Sequence, residues 1–149
     1  GDSWTSITSS TGATPIQVSA GDTILFKGVN GYYGESISGY TTFRGSTATF
    51  NVRGNIMSLI YGDDFIGQTM LNYTNTFRCL FRHTNIVDAS ELVLPSTRLT
   101  NNCYWGMFYL CDKLVSTPSL PATELAEYCY SNMFNVVRVI ISSNYCIYW

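Results

Sequence analysis

Apolar and polar positions alternate in two different ways along this chain, with the change near residue 62. In the first part, short apolar or alternating runs at residues 23–27 and 48–52 are separated by turn-forming residues. This spacing is typical of short strands joined by turns. The nearly continuous apolar run 56–61 suits a strand that is covered on both faces. The pattern therefore predicts a small antiparallel, sandwich-like β-domain over residues 1–62, followed by a boundary at Gly62, Asp63 and Asp64.

Beyond this boundary the sequence repeats itself. The amino-acid sequence of residues 94–108 recurs 26 positions later, with eight identical residues in register. The matched residues of the second copy are Leu120, Pro121, Thr123, Leu125, Cys129, Tyr130, Met133 and Phe134. A degenerate earlier copy at residues 77–87 and a partial later one at 140–142 extend the pattern. A fixed period of about 20–50 residues indicates a repeat array, here about two and a half to three units of ~26 residues over residues 63–149.

Each unit carries an apolar stripe. Leu99, Cys103 and Met107 are spaced four apart, which predicts a short helix or pair of helical turns with one apolar face. Residues 113–117 then predict a short strand that Pro118 ends. A unit of this kind cannot bury its apolar face alone, so the units are expected to stack. The residues assigned to the stacked core are Leu94, Leu99, Cys103, Tyr104, Met107, Phe108, Leu114, Leu120, Leu125, Cys129, Tyr130, Met133 and Phe134.

The composition adds that the surface is polar but weakly charged. Charged residues make up 12% of the chain, against about 25% in ordinary soluble domains. Aromatic residues make up 15%. Such a composition is common among secreted and cell-surface proteins. The net charge of −2 provides no electrostatic footprint for nucleic acid or an anionic membrane. No apolar run approaches the ~18 residues that a membrane span needs. No signal peptide is visible, and because the chain opens at Gly1 without a Met, a trimmed mature or recombinant segment is expected, so the missing signal says nothing about secretion.

The cysteines favour a structural role. Their number is five, so at least one is unpaired within the chain. Cys103 and Cys129 occupy the same repeat position and could form a metal or redox pair, but no histidine or second cysteine has ligand spacing. A ladder of small buried apolar groups is favoured instead. One disulfide among Cys79, Cys111 and Cys146 is a further possibility. No metal and no cofactor is expected.

Catalytic candidates are few and weak. His83 is the sole histidine, and its polar neighbours indicate a solvated loop residue more than a member of a nucleophilic pair. Asp63 and Asp64 could serve a calcium site or an acid–base pair, yet adjacent carboxylates beside Gly62 are more often a turn. No catalytic residue is assigned, and a non-enzymatic protein is expected.

Two groups of residues are candidates for contact with a partner. Tyr32 and Tyr33, with Tyr40 nearby, lie in a glycine-rich loop, and aromatic faces on loops stack on sugars or anchor proteins. The alternative is that these rings fold back over the β-domain. On the strand side of the array, the residues expected to face outward are Asp88, Ser90, Ser116 and Thr117. For these the alternative is an ordinary solvated surface.

The repeat also carries a family resemblance. The pattern Leu-Pro-x-Thr-x-Leu-x-x-x-Cys-Tyr-x-x-Met-Phe, followed by Cys111 and Leu114, resembles the BspA-like leucine-rich-repeat family of bacterial surface proteins. Repeats of that family carry an aromatic-x-x-x-Phe-x-x-Cys-x-x-Leu core. The resemblance covers about residues 65 to 142, and residues 54–59 look like the β-module that precedes such repeats in gut anaerobes. Residues 77–87 depart from the pattern in lacking the repeat cysteine, and residues 135–149 lose the Gly-Cys-x-x-Leu continuation.

The resemblance implies a solenoid of leucine-rich-repeat type in an exported protein. Combined with the pattern of residues 1–62, the expected fold is mixed α+β: a small N-terminal antiparallel β-domain that caps a short leucine-rich-repeat solenoid with short helical turns. The expected function is that of an exported, extracellular or cell-surface module for adhesion, binding a host or bacterial surface protein through a rigid scaffold. The alternative is a carbohydrate-binding module that uses the loop tyrosines, and an enzyme, perhaps a hydrolase, is a further rival.

Overall fold

The computed structural model describes residues 3–7, 15–36, 38–43 and 47–135. Regular secondary structure in these ranges is sparse. Its elements in chain order are strands β1 (Phe50–Asn51) and β2 (Gly54–Asn55), helix α1 (Ser58–Tyr61), a 3-10 turn (Gly62–Asp64), and strands β3 (Ile86–Asp88) and β4 (Leu92–Val93). Strand β1 pairs with β3 and β2 with β4, both in parallel.

The predicted fold class is wrong. No antiparallel sandwich and no regular repeat solenoid is formed in the described residues, which hold one four-residue helix and a few short parallel strands. The antiparallel pairing found there is an isolated bridge between Gly34 and Tyr40. The run 56–61, predicted as a strand, enters α1 instead and buries Met57 and Leu59. A short apolar run cannot be distinguished from a buried helix by its periodicity, because every position is apolar in both cases.

The four-residue stripe does not lie on a helix either. Three stretches, here called the first (75–83), second (102–110) and third (127–135) turn segments, wind through successive turns. Every fourth residue in them has a positive φ: Asn75, Cys79, His83; Asn102, Gly106, Leu110; and Tyr128, Asn132. A right-handed helix excludes this left-handed conformation. Because the winding itself repeats every four residues, side chains four apart still point the same way, which is why the stripe suggested helical turns.

Alternate amides of the turn segments join one segment to the next. Within the second segment, Trp105 N–H donates to the carbonyl of Asn102 over 3.1 Å. Between segments, Phe81 N–H donates to Met107 O, and Phe108 N–H donates to Met133 O, each over 2.9 Å. Every second amide is therefore used for a contact between segments, which holds the three segments parallel and in register.

Two columns of stacked aromatic rings run through the core from one turn segment to the next. The first contains Tyr33, Phe77, Tyr104 and Tyr130, with centroid distances of 6.1, 5.9 and 5.7 Å. The second contains Phe43, Phe81, Phe108 and Phe134, with distances of 5.6, 5.5 and 5.6 Å. Phe26 meets the edge of this second column at Phe43, 4.8 Å away in a T-shaped contact. Offset stacking at such distances is favourable beyond the area that it buries.

The residues before Phe43 cover the first turn segment through its backbone. Tyr33 N–H donates to Thr76 O over 2.7 Å, and Phe43 N–H donates to Leu80 O over 2.8 Å. One hydrophobic core accordingly contains residues from both sides of Gly62. The division of the chain into residues 1–62 and 63–149 stays a prediction.

Most residues assigned to the repeat core are buried. The fully buried ones are Leu94, Leu99, Cys103, Tyr104, Met107, Phe108, Leu114, Cys129 and Met133. Tyr130 and Phe134 are half-buried. Leu120 and Leu125 lie outside the core, 41% and 67% exposed, although their counterparts Leu94 and Leu99 are buried. Both belong to the last described copy of the repeat, so within the described residues no further copy covers them.

Candidate interaction surfaces

The structure separates the three predicted loop tyrosines. Tyr33 turns inward: its ring stacks on Phe77, its hydroxyl donates to Leu59 O over 2.7 Å, and burial raises its pKa. Tyr40 is half-buried, and its hydroxyl accepts a hydrogen bond from Arg82 Nη1 at 2.6 Å. Tyr32 stays on the surface, 44% exposed. One of the three is therefore open to a partner.

Tyr32 is joined by Tyr73, a residue that no pattern in the sequence singles out. Its ring lies 5.8 Å from that of Tyr73, at an interplanar angle of 58°, and Tyr73 is itself 52% exposed. A Cβ added at Gly31 would lie 2.7 Å from the Tyr73 ring, so glycine permits this approach. We call Tyr32 and Tyr73 the tyrosine pair. No sequence signal links them, because they are 41 positions apart and only Tyr32 belongs to the loop.

The backbone beneath Tyr73 is firmly held. Its carbonyl accepts hydrogen bonds from the hydroxyls of Thr76 and Thr100, both at 2.6 Å. Thr100 lies two residues before the second turn segment, and Thr76 lies in the first. The carbonyl of Tyr73 is therefore hydrogen-bonded to two neighbouring copies of the repeat. An aromatic ring on a backbone fixed in this way loses little conformational entropy on binding, which favours it as an anchor.

Polar amides lie close in the chain to both members of the tyrosine pair. Asn30 is exposed and donates from Nδ2 to the Tyr33 hydroxyl over 3.2 Å. Asn72 is exposed and donates from Nδ2 to the Tyr61 hydroxyl over 3.2 Å. Aromatic faces with amides at hand can take apolar side chains of a protein or the ring of a sugar.

The predicted strand-side residues form a second, polar surface. Asp88 and Ser116 are brought together by a parallel bridge, and both are half-buried, whereas Ser90 and Thr117 are exposed. The backbone N–H of Ser90 donates to Asp88 Oδ1 over 2.7 Å. This hydrogen bond to the charged form lowers the pKa of Asp88, so its carboxylate is ionised at neutral pH.

The catalytic candidates Asp63 and His83 lie at the surface. Asp63 lies in the 3-10 turn, and its carboxylate forms an ion pair with Lys27, whose Nζ donates a hydrogen bond over 2.7 Å. His83 is exposed and lines an open depression of about 450 Å³ with Thr84, Asn85, Leu110, Asp112 and Lys113. The Thr84 hydroxyl in this depression is buried and donates to Phe81 O over 2.8 Å. The expectation of a non-enzymatic protein stays a prediction.

Four of the five cysteines lie in the described part and are buried free thiols: Cys79, Cys103, Cys111 and Cys129. Cys146, the remaining member of the possible disulfide, lies outside the described residues. Burial raises the pKa of Cys103 to about 12, so its thiol is neutral at physiological pH. Among the described residues, no group of three or more His, Cys, Asp and Glu side chains is placed to hold a metal ion.

Comparison of the chain with protein-family models, curated proteins and solved structures finds no significant match. Across the described ranges, no helix has the length and apolar character that crossing a bilayer requires.

Proposed function

We propose that this chain is an interaction module of a cell-surface or secreted protein, which adheres to a host or bacterial surface protein through the tyrosine pair. The observation that supports this most is the exposure of two large rings on a backbone that is hydrogen-bonded to the stacked turn segments. Tyrosine is enriched at protein interfaces because it offers a large apolar area with a polar end and few rotatable bonds.

The surroundings of the pair favour a protein partner. Val29, three residues before Tyr32, is 83% exposed. The same loop therefore also presents an exposed apolar side chain. The two rings are inclined to each other and present a wedge in place of a flat platform. A wedge accommodates a protruding side chain of a partner, whereas a pyranose ring is best met by a single parallel aromatic face.

A carbohydrate ligand is the second candidate. The exposed amides of Asn30 and Asn72 support it, because amides beside aromatic rings can satisfy the hydroxyls of a sugar while a ring covers its apolar face. In this alternative the polar strand-side surface around Asp88 and Ser116 plays no part.

The test compares the wild type with a Tyr32→Ala/Tyr73→Ala double variant and a matched control, Tyr128→Ala. Tyr128 is exposed to a similar extent but belongs to the third turn segment. Binding to immobilised extracellular-matrix proteins is measured by surface plasmon resonance, and binding to sugars on a glycan array. Circular dichroism verifies that each variant is folded.

We expect the double variant to lose protein binding by at least about tenfold, since two interface tyrosines commonly contribute more than 1.4 kcal/mol together. The control should bind like the wild type. Glycan binding that only the double variant loses, without any protein binding, would transfer the function to the second candidate. Equal losses in the double variant and the control would refute the role of the tyrosine pair.

A further inference from the structure

Arg78 is a buried cation without an acidic partner. The residue is 4% exposed. Its guanidinium carbon lies 3.9 Å from the centroid of the Trp105 ring, and a Cβ added at Gly34 would lie 2.8 Å from its own Cβ. Its Nε is enclosed and has no hydrogen-bond partner. Buried charged groups are ordinarily paired, because an uncompensated charge away from water is costly.

A second guanidinium lies one turn further along the same segment. Arg82 Nη1 donates to the Tyr40 hydroxyl over 2.6 Å. Its guanidinium carbon is 5.5 Å from the Tyr40 ring centroid and 5.1 Å from that of Tyr109. Since the turn segment repeats every four residues, Arg78 and Arg82 project from the same face. Aromatic rings hold both guanidinium groups in position.

No carboxylate balances these two charges in the described part of the chain. The sequence has ten acidic residues, of which Asp2 alone lies outside the described ranges. The ion pairs formed by the described residues join Lys27 to Asp63, Arg98 to Glu124 and Lys113 to Asp112. Within the described residues, no carboxylate pairs with Arg78, and its Nε is buried without a hydrogen-bond partner. An anion bound beside the guanidinium could supply the missing counter-charge.

Cys79 lies between the two arginines in the first turn segment. Burial is the largest influence on the pKa of its thiol and raises it, while the positive charges of Arg78 and Arg82 lower it. On balance the pKa of Cys79 is raised, so the thiol is neutral at physiological pH and does not supply the missing negative charge. A Cβ added at Gly106 would lie 3.4 Å from the Cys79 sulfur, which leaves this side of the thiol covered by the second turn segment.

We propose that Arg78 and Arg82 form a binding site for a compact oxyanion, a sulfate or carboxylate group, which supplies the counter-charge. A guanidinium presents a planar fork of donors that matches two oxygens of such a group. Because the rings of Tyr40, Trp105 and Tyr109 already hold the two forks, little ordering is left for the binding step. The oxyanion is either a free anion or a substituent of an acidic or sulfated sugar. This site does not depend on the proposed role of the tyrosine pair.

The test follows the arginine Nε–H signals of the whole isotope-labelled chain by NMR. Sodium sulfate, sodium glucuronate and a sulfated disaccharide are titrated separately, with sodium chloride adjusted to keep the ionic strength constant. We expect saturable shifts at Arg78 and Arg82, while Arg98, which is exposed and paired with Glu124, reports the general effect of the salt. Tighter binding of the disaccharide than of sulfate would identify a sugar as the carrier, and equal binding would identify the free anion.

Two variants make the test specific. Arg82→Gln keeps a donor for Tyr40 but removes the charge, and should weaken the binding by about tenfold or more, the usual weight of a hydrogen bond to a charged group. Arg98→Gln should leave it unchanged. Shifts that grow in parallel at all arginines without saturation, or equal losses in the two variants, would overturn the proposal. If Arg82→Gln does not fold, the titration of the wild type still decides.

Discussion

Replacing Phe108 by alanine tests the stacked core most directly. Its ring is fully buried and lies between those of Phe81 and Phe134, at 5.5 and 5.6 Å. A buried phenylalanine removes about 200 Å² from water, and ~25 cal/mol per Å² converts this to roughly 5 kcal/mol as an upper estimate. Measured costs of Phe→Ala in cores are about 3–5 kcal/mol. We therefore expect Phe108→Ala to lower the free energy of unfolding by that amount.

Phe134 supplies the matched comparison within the same column. It stacks on Phe108 alone among the described rings and is half-buried. Phe134→Ala should accordingly cost about half as much, roughly 1.5–2.5 kcal/mol. Because a domain of this size is stable by only about 5–15 kcal/mol, the difference between the two variants is easily measured.

The assay is urea-induced unfolding followed by circular dichroism, with the slope of the transition checked for constancy across the variants. A melting curve should show a decrease of roughly 2–4 °C per kcal/mol for a chain of this length. A cost below about 1 kcal/mol for Phe108→Ala would refute the stacked core, because truncating a tightly packed, buried phenylalanine loses its transfer energy and leaves a cavity. Equal costs for Phe108→Ala and Phe134→Ala would contradict the idea that a ring stacked on both faces contributes more.

Two further predictions concern pH and backbone conformation. Burial raises the pKa of Cys103 from 9.0 and that of Tyr130 from 10.0, each to about 12, so the folded state holds protons that the unfolded state releases. Their contribution to stability is complete below pH 9 and is lost between pH 9 and about 12, and unfolding by urea at stepwise pH values should show this fall. Tyr130→Phe should make the fall above pH 10 shallower; an unchanged slope would exclude Tyr130 as a source. Gly106 has a φ of 58°, so Gly106→Ala should cost about 1–2 kcal/mol in the same assay. Asn132→Gly, at an exposed position with φ of 55°, should cost less, because it loses only the exposed hydrogen bond that Asn132 Oδ1 accepts from Asn135. Comparable costs for both changes would mean that the positive φ is not what requires glycine at residue 106.

The sequence by itself determined where equivalent residues recur. The 26-residue offset that relates Tyr104 to Tyr130 and Phe108 to Phe134 is the offset at which their rings stack in the structure. Such a pattern can be read without coordinates because equivalent positions in neighbouring copies have equivalent surroundings, and a ring is matched by a ring.

The tertiary structure alone decided the conformation of the repeat and the composition of the surfaces. A four-residue spacing fits a helix as well as a chain of turns, and the positive-φ positions include Cys79, Leu110 and Tyr128, which have no intrinsic preference for that conformation. Amide contacts between segments select it. Tyr33 is drawn inward by Phe77, Tyr32 is met by a distant tyrosine, and Arg78 lies over Trp105. Each of these outcomes depends on a neighbour far away in the chain, and local propensity carries no information about such neighbours.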